Sequence, residues 1–178
     1  MGNDNMSDKL KIWNDLEKTN PEHTKPARSD YSKMITTIDA MHQIKNMTRY
    51  FGPVGKGWSY DVKYHYTERL VFAEVKIRYC LQDQWYSYGP VCSLSPLGHV
   101  KGKKQGQLDD EAPKKAMTDA LTKAFSHIGL NADIFLGKFD NNKYVQEVTE
   151  HFKQNSVEVT TGSTSNNGVA NNNRQVSR

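Results

Sequence analysis

Asp109, Asp110 and Glu111 form the only acidic cluster in the chain, and neighbouring carboxylates are the donor set a divalent cation would need. Held together they would suit a magnesium-dependent nuclease. The same three acids stand just before an apolar-periodic segment, where carboxylates favour the positive pole of a starting helix. That reading accounts for them without a metal. The six histidines are scattered at positions 23, 42, 65, 99, 127 and 151, none beside a residue that would make a nucleophile–base pair. No GxxxxGK[ST] loop, GxSxG elbow or HExxH pair occurs, so triphosphate, acyl-transfer and zinc-protease chemistry lack their signatures. Cys80 and Cys92 both sit in strand-like apolar sequence with no CxxC or Cys/His spacing. They read as buried thiols of a reducing compartment rather than zinc ligands. The expectation is therefore a binding protein with no cofactor, no metal and no covalent step.

Two motifs remain once catalysis is set aside. In FGPVGKGW, a lysine between two glycines, Lys56, stands where a helix stops and a strand begins. Such a position leaves the ammonium exposed and able to approach a phosphate. In KKAMTDALTKAFSHIG, Lys115, Asp119, Thr122, Lys123 and Ser126 form the polar face of an amphipathic helix. Lys115 with Asp119, and Asp119 with Lys123, are i,i+4 neighbours, so ion pairing on a helix surface explains those charges by itself.

The elements that must carry these motifs follow from periodicity. Ile38 to about Tyr50 repeats Met41, Ile44, Thr48 and Phe51 at helical spacing, after a capping signal at Thr36 and Asp39. Strict alternation then runs through Trp58, Tyr60, Val62, Tyr64 and Tyr66. A second alternating run takes Val71, Ala73, Val75, Ile77, Tyr79 and Leu81, and Gln82-Asp83-Gln84 turns the chain into Trp85-Tyr86-Ser87-Tyr88. Three antiparallel strands make a meander too small to stand alone, and the stripe Ala116, Met117, Ala120, Leu121, Ala124, Phe125 and Ile128 is the helix that must cover it. SPLGHVKGKKQGQLDD and LNADIFLGKFD read as loops. Short helices are expected near Asp8–Lys18 and Asn142–Phe152.

Composition supplies the outer bounds. A chain of 178 residues, 36% hydrophobic, builds one core. The expected organisation is an N-terminal arm over 1–30, a folded domain over 31–153, and a disordered Ser/Asn-rich tail over 154–178. A formal net charge of +4 is too small to identify a polyanion partner, so any nucleic-acid footprint depends on where the charges sit. No apolar run is long enough for a membrane span, and MGNDNMSDKL has no signal-peptide core. The expectation is a cytoplasmic protein with no membrane partner.

In order, the chain shows ITTIDAMHQIKNMTRYFGPVGKGW, a meander with a polar turn at LQDQW, a lysine-bearing loop, and EAPKKAMTDALTKAFSHIGLNADIFLGKFDNNKYV. That series resembles the annealing core of the Rad-fifty-two/Rad-twenty-two family and its phage recombination relatives. There a helix ending in FG and GW precedes antiparallel strands and an alanine-rich helix with a T-D-(A/G)-L-(K/R) signature. The resemblance spans about Ile35 to Val145. It implies an α+β domain, a β-meander packed against a long helix, assembled into a ring or helical oligomer whose groove holds single-stranded DNA by its backbone. The implied activity is annealing of complementary strands in homologous recombination and repair. The implied partners are single-stranded DNA, annealing intermediates and further copies of the chain, with a single-strand-binding protein or an exonuclease as a further class.

Carried over residue by residue, the family's basic pair after the signature leucine falls on Thr122 and Lys123, and a further basic position falls on Ser126. The basic residue of the first helix falls near His42. Only Lys123 keeps the charge. Lys115, Lys56, Lys63, Arg78 and the loop lysines Lys101, Lys103 and Lys104 are the cations expected to supply what the helix lacks. Tyr60, Tyr64, Tyr66, Trp85, Tyr86 and Tyr88 could stack on bases, although alternating aromatics more often belong to a core. A protective single-strand-binding module that does not pair strands would use the same residues, and the acidic cluster leaves the nuclease as a rival from another class.

Overall fold

A computed structural model of the chain describes residues 9–28, 34–99 and 105–162. Its centre is an antiparallel meander of β3 (Trp58–Tyr66), β4 (Leu70–Leu81) and β5 (Gln84–Pro96), in the order β3-β4-β5. Register puts Tyr60 opposite Ile77, Val62 opposite Val75 and Tyr64 opposite Ala73. With a side-chain period of two, the alternating sets from Trp58 to Tyr66 and from Val71 to Leu81 therefore fall on one face, and Phe72 falls on the other. Val71, Ala73, Val75 and Ile77 on the central strand are completely buried. The β4–β5 turn is two residues long, with Gln82 and Asp83 both at positive φ, and that backbone matches the twist of the flanking strands. Gln84 begins the next strand rather than ending the turn.

Strand β5 is 13 residues long and runs well past the expected Tyr88. Its register passes from Ile77↔Tyr88 to Val75↔Val91, so Gly89 and Pro90 together face Lys76 across a bulge. Gly89 sits at φ 111°, and a Cβ there would lie 2.6 Å from the Val75 carbonyl oxygen. A Gly-Pro pair breaks the alternation that sequence reading follows, which is why the strand looks shorter than it is.

The helix α3 (Ala112–His127) covers the sheet. Ala112, Ala116, Ala120 and Ala124, spaced four apart, are all fully buried, so the helix approaches the strands closely along a smooth row. Phe125 meets Trp58 edge-on at 5.6 Å. The helix α2 (Ala40–Phe51) packs beside it and is capped by Asp39, whose carboxylate accepts from the Met41 amide at 2.8 Å. The helix starts at Ala40 rather than at the expected Ile38, with Asp39 and not Thr36 as its cap, because Met34–Ile38 belong to a strand. α2 ends at FGPVGKGW, where a Cβ on Gly57 would come within 1.8 Å of the Phe51 carbonyl. The motif is a tight crossing of backbone on backbone.

Several expectations are corrected. The short helix expected near Asp8–Lys18 is present as α1 (Lys11–Leu16), but it contributes Leu16 to the core of the domain, and a 3-10 turn at Pro21–His23 then leads into β1 (Thr24–Arg28), paired with β2 (Met34–Ile38) in a separate ribbon. LNADIFLGKFD is likewise structured, by the one-turn helix α4 (Ala132–Phe135) and a 3-10 turn at Lys138–Asp140. The last helix, α5 (Asn142–Gly162), continues ten residues beyond Phe152 into the segment read as a tail. No glycine or proline interrupts the chain between Gly137 and Gly162, so nothing local stops it. Cys92 is exposed and Cys80 half-buried, not the buried pair expected, because both point away from α3.

Candidate nucleic-acid interface

The expected contact residues divide among separate surfaces. Lys63 and Arg78 lie on the sheet face away from α3. Lys63 stands opposite Glu74 there and Lys76 opposite Asp61, so cross-strand acids offset both lysines. Arg78 stands between Ser59 and Ser87 with no acid across from it. Lys56 is exposed on the turn at Pro53, where its amide donates to the Pro53 carbonyl at 3.0 Å. His42 is on α2, remote from the sheet's bare face, stacked on His23. Lys101, Lys103 and Lys104 lie outside the described residues.

Two of the residues carried over on α3 are engaged internally. Thr122 donates to the Gln43 side chain at 2.8 Å, and Gln43 in turn donates to Asn131 in a buried network. Ser126 is buried and donates to the Lys123 carbonyl of its own helix at 2.8 Å. Neither hydroxyl is directed at solvent. The acidic cluster is similarly committed. Asp109 is buried and takes the Lys115 ammonium at 2.6 Å and the Glu111 amide at 3.2 Å, which holds its carboxyl below the usual carboxylate range. Glu111 pairs with Lys114 at 3.0 Å. Among the described residues, no group of three or more His, Cys, Asp or Glu is placed to hold a metal ion.

What the fold does assemble is the flank of α3 along β5. Lys115, Asp119, Lys123 and His127 succeed one another at four-residue spacing and so form one ridge. Beside the ridge, β5 presents Ser93, Tyr88 and Tyr86. The Lys123 ammonium reaches Asp119 at 2.7 Å and the Ser93 hydroxyl at 3.3 Å. Ser93 also hydrogen-bonds Asp119, and the Tyr88 hydroxyl meets His127 Nδ1. Tyr86 stacks on Tyr79 with ring centroids 5.8 Å apart and planes 20° from parallel.

Tyr86 and Tyr88 are 41% and 36% exposed although they belong to the face that α3 covers, because they lie toward the strand's start, beyond the helix's cover. Trp85 is 47% exposed on the opposite face of the same strand end. Among the described residues β5 pairs only with β4, so its other edge is open. The surface thus combines aromatic faces, an ammonium and an unpaired strand edge.

Sequence reading named Lys123, Tyr86 and Tyr88, but not their adjacency to His127 and Ser93. The four-residue spacing from Lys123 to His127 was the available signal for part of it. Tyr64 and Tyr66 form a second exposed pair at the other end of β3, 6.4 Å apart. No protein-family model matches this sequence, and no curated protein matches it either.

Proposed function

We propose that the chain binds single-stranded DNA without sequence preference and anneals complementary strands, with no covalent step, as a Rad-fifty-two-type core that works as a ring or helical oligomer in the cytoplasm. The observation that carries this reading is the pair of exposed tyrosine faces on β5 set beside Lys123 and His127. Every base has a π face, so stacking tolerates any sequence, and an ammonium beside the stack meets the phosphate that each nucleotide carries. Stacking also leaves the pairing edges of the bases free, which annealing requires. The α+β architecture is compatible with such a core. Among the described residues no helix is long and apolar enough to cross a membrane.

Replacing Tyr86 and Tyr88 together by alanine tests the reading. Each stacked base is worth about 1–3 kcal/mol, so affinity for a thymidine oligonucleotide, followed by fluorescence anisotropy, should fall about tenfold or more. Annealing of complementary fluorescent strands should fall with it. Unchanged affinity in a folded double variant would remove the reading from this surface. Strand binding without strand pairing in the native protein would leave a protective binding module instead.

A further inference from the structure

On the far side of α2 from the sheet, a cleft of about 750 Å³ opens between α1, the turn at Pro21–His23, α2 and the later part of α5. A volume of that order accommodates a nucleotide-sized ligand. Its wall along α2 is basic: His42, Lys45 and Arg49 follow one another at spacings of three and four on one helical face, and Lys18 and His23 come from the opposing segment. Two acids also line it, Asp15 and Glu22. Asp15 is already satisfied by the Lys11 ammonium and the Tyr50 hydroxyl, both at 2.8 Å. Among the described residues neither Lys18, Lys45 nor Arg49 has an acidic partner within 4 Å, and the Arg49 guanidinium rests on the Asn46 side-chain oxygen at 3.1 Å.

Two histidines sit within this concentration of like charge. His23 and His42 stack face to face with centroids 3.6 Å apart and planes 21° from parallel. Burial, followed by the neighbouring His23, Arg49 and Lys45, lowers His42 to about 4, with Asp39 opposing them. His42 is therefore uncharged at neutral pH and retains one ring N–H to donate. Cations brought together without a carboxylate in contact repel one another, and the fold bears more of that cost at this cleft than on the ridge beside β5, where Lys115 and Lys123 each meet an acid, at 2.6 and 2.7 Å. An anion with several oxygens would relieve it. Arginine's planar fork and a neighbouring ammonium suit a phosphate's tetrahedral oxygens better than a single carboxylate.

We propose that this cleft is a binding site for a phosphate group, held by Arg49, Lys45 and Lys18 with the His23–His42 stack as its floor. The phosphate belongs to a free nucleotide or to a nucleic-acid strand. The site does not depend on the tyrosine surface on β5, which lies on the other side of α2.

Histidine ring signals of the full chain, followed by NMR during titration with inorganic phosphate at constant ionic strength, test the proposal. The His23 and His42 signals should shift saturably, and the His42 titration midpoint should rise above about 4 with phosphate present. Lys45→Gln combined with Arg49→Gln, both at exposed positions, should weaken phosphate about tenfold or more without lowering Tm. The Tyr86→Ala/Tyr88→Ala variant should titrate like the native chain, which separates this site from the strand-binding reading. Shifts no larger than chloride produces, or a Lys45/Arg49 variant that titrates normally, would overturn the proposal.

Two probes then identify the source. If the Lys45/Arg49 variant loses affinity for a thymidine oligonucleotide in parallel, the phosphate is a strand's. If thymidine monophosphate binds more tightly than inorganic phosphate and the oligonucleotide is unaffected, the site takes a nucleotide.

Discussion

The ridge of α3 beside β5 and the cleft beside α2 are both basic, but they hold their charge differently. On the ridge, Lys115 is joined to Asp109 and Lys123 to Asp119, so each ammonium carries its own acid. In the cleft, Lys18, Lys45 and Arg49 have no such acid among the described residues, and two imidazoles are pressed together among them. A cation paired along its own helix keeps only part of its pull on a polyanion, because a ligand must first compete with the resident carboxylate. Cations with no carboxylate in contact keep more of it. The ridge therefore depends on its aromatic neighbours for affinity, whereas the cleft depends on charge.

The largest expected effect breaks the cleft and spares the ridge. Asp133 is fully buried and accepts from the Thr19 amide and the Tyr144 hydroxyl at 2.8 Å each, the Ile134 amide at 2.9 Å, and the Thr19 hydroxyl. It ties the segment carrying Lys18 to the start of α5, so both walls of the cleft depend on it. Asp133→Ala leaves those donors unsatisfied at a cost on the order of 3–5 kcal/mol, and Tm should fall by about 10 °C. Hydrogen exchange should show the loss first at α1 and α5, with the meander still protected. Equal loss of protection in β3–β5 would mean that the two regions unfold as one and are not separable.

A smaller effect sharpens the difference in neutralisation. Lys123→Ala should weaken single-strand binding and lower the magnitude of the salt slope by about 0.7, the value for one single-strand phosphate contact. Asp119→Ala should leave binding intact or tighten it, since it frees the ammonium beside Ser93. Stability should change by only about 0.5 kcal/mol in either variant, because the pair is an exposed i,i+4 one. If the two substitutions alter affinity alike, Lys123 serves the helix surface and not the ligand.

The smallest effect concerns pH. His42 lies at about 4 in the folded chain, below the ordinary histidine range near 6.5, so the unfolded chain binds more protons between those values. Stability is therefore full above about pH 6.5 and declines as pH falls toward 4. The side chain is partly solvated, so screening limits the effect, and His42→Gln should recover about 2–4 °C of Tm at pH 4.5 relative to pH 7. An identical acid-induced fall in the native and variant chains would show that His42 does not titrate in this window.

The meander and its covering helix were legible because both obey a period. Alternation from Trp58 to Leu81 and the alanine row of α3 each bury one face, and burial of a face is what a period records. The irregular parts were not legible. Gly89-Pro90 interrupts the alternation within β5, the β1–β2 ribbon and α4 are too short to show a period, and the docking of α1's end against α4 rests on long-range contacts that leave no local pattern. Thr19 and Asp133 are 114 residues apart in sequence and share two hydrogen bonds.

For the candidate surfaces, the residue types on α3 and β5 and the i,i+4 pairing of Lys123 with Asp119 were set by the sequence alone, since helix and strand geometry are local. That Thr122 and Ser126 turn inward, that Tyr86 and Tyr88 outlast the helix's cover, and that His23 comes to rest on His42 beside Lys45 and Arg49 were decided only by tertiary structure. Each of those outcomes depends on how far one element extends over another. Packing distances fix that extent, and residue spacing along a single segment does not contain it.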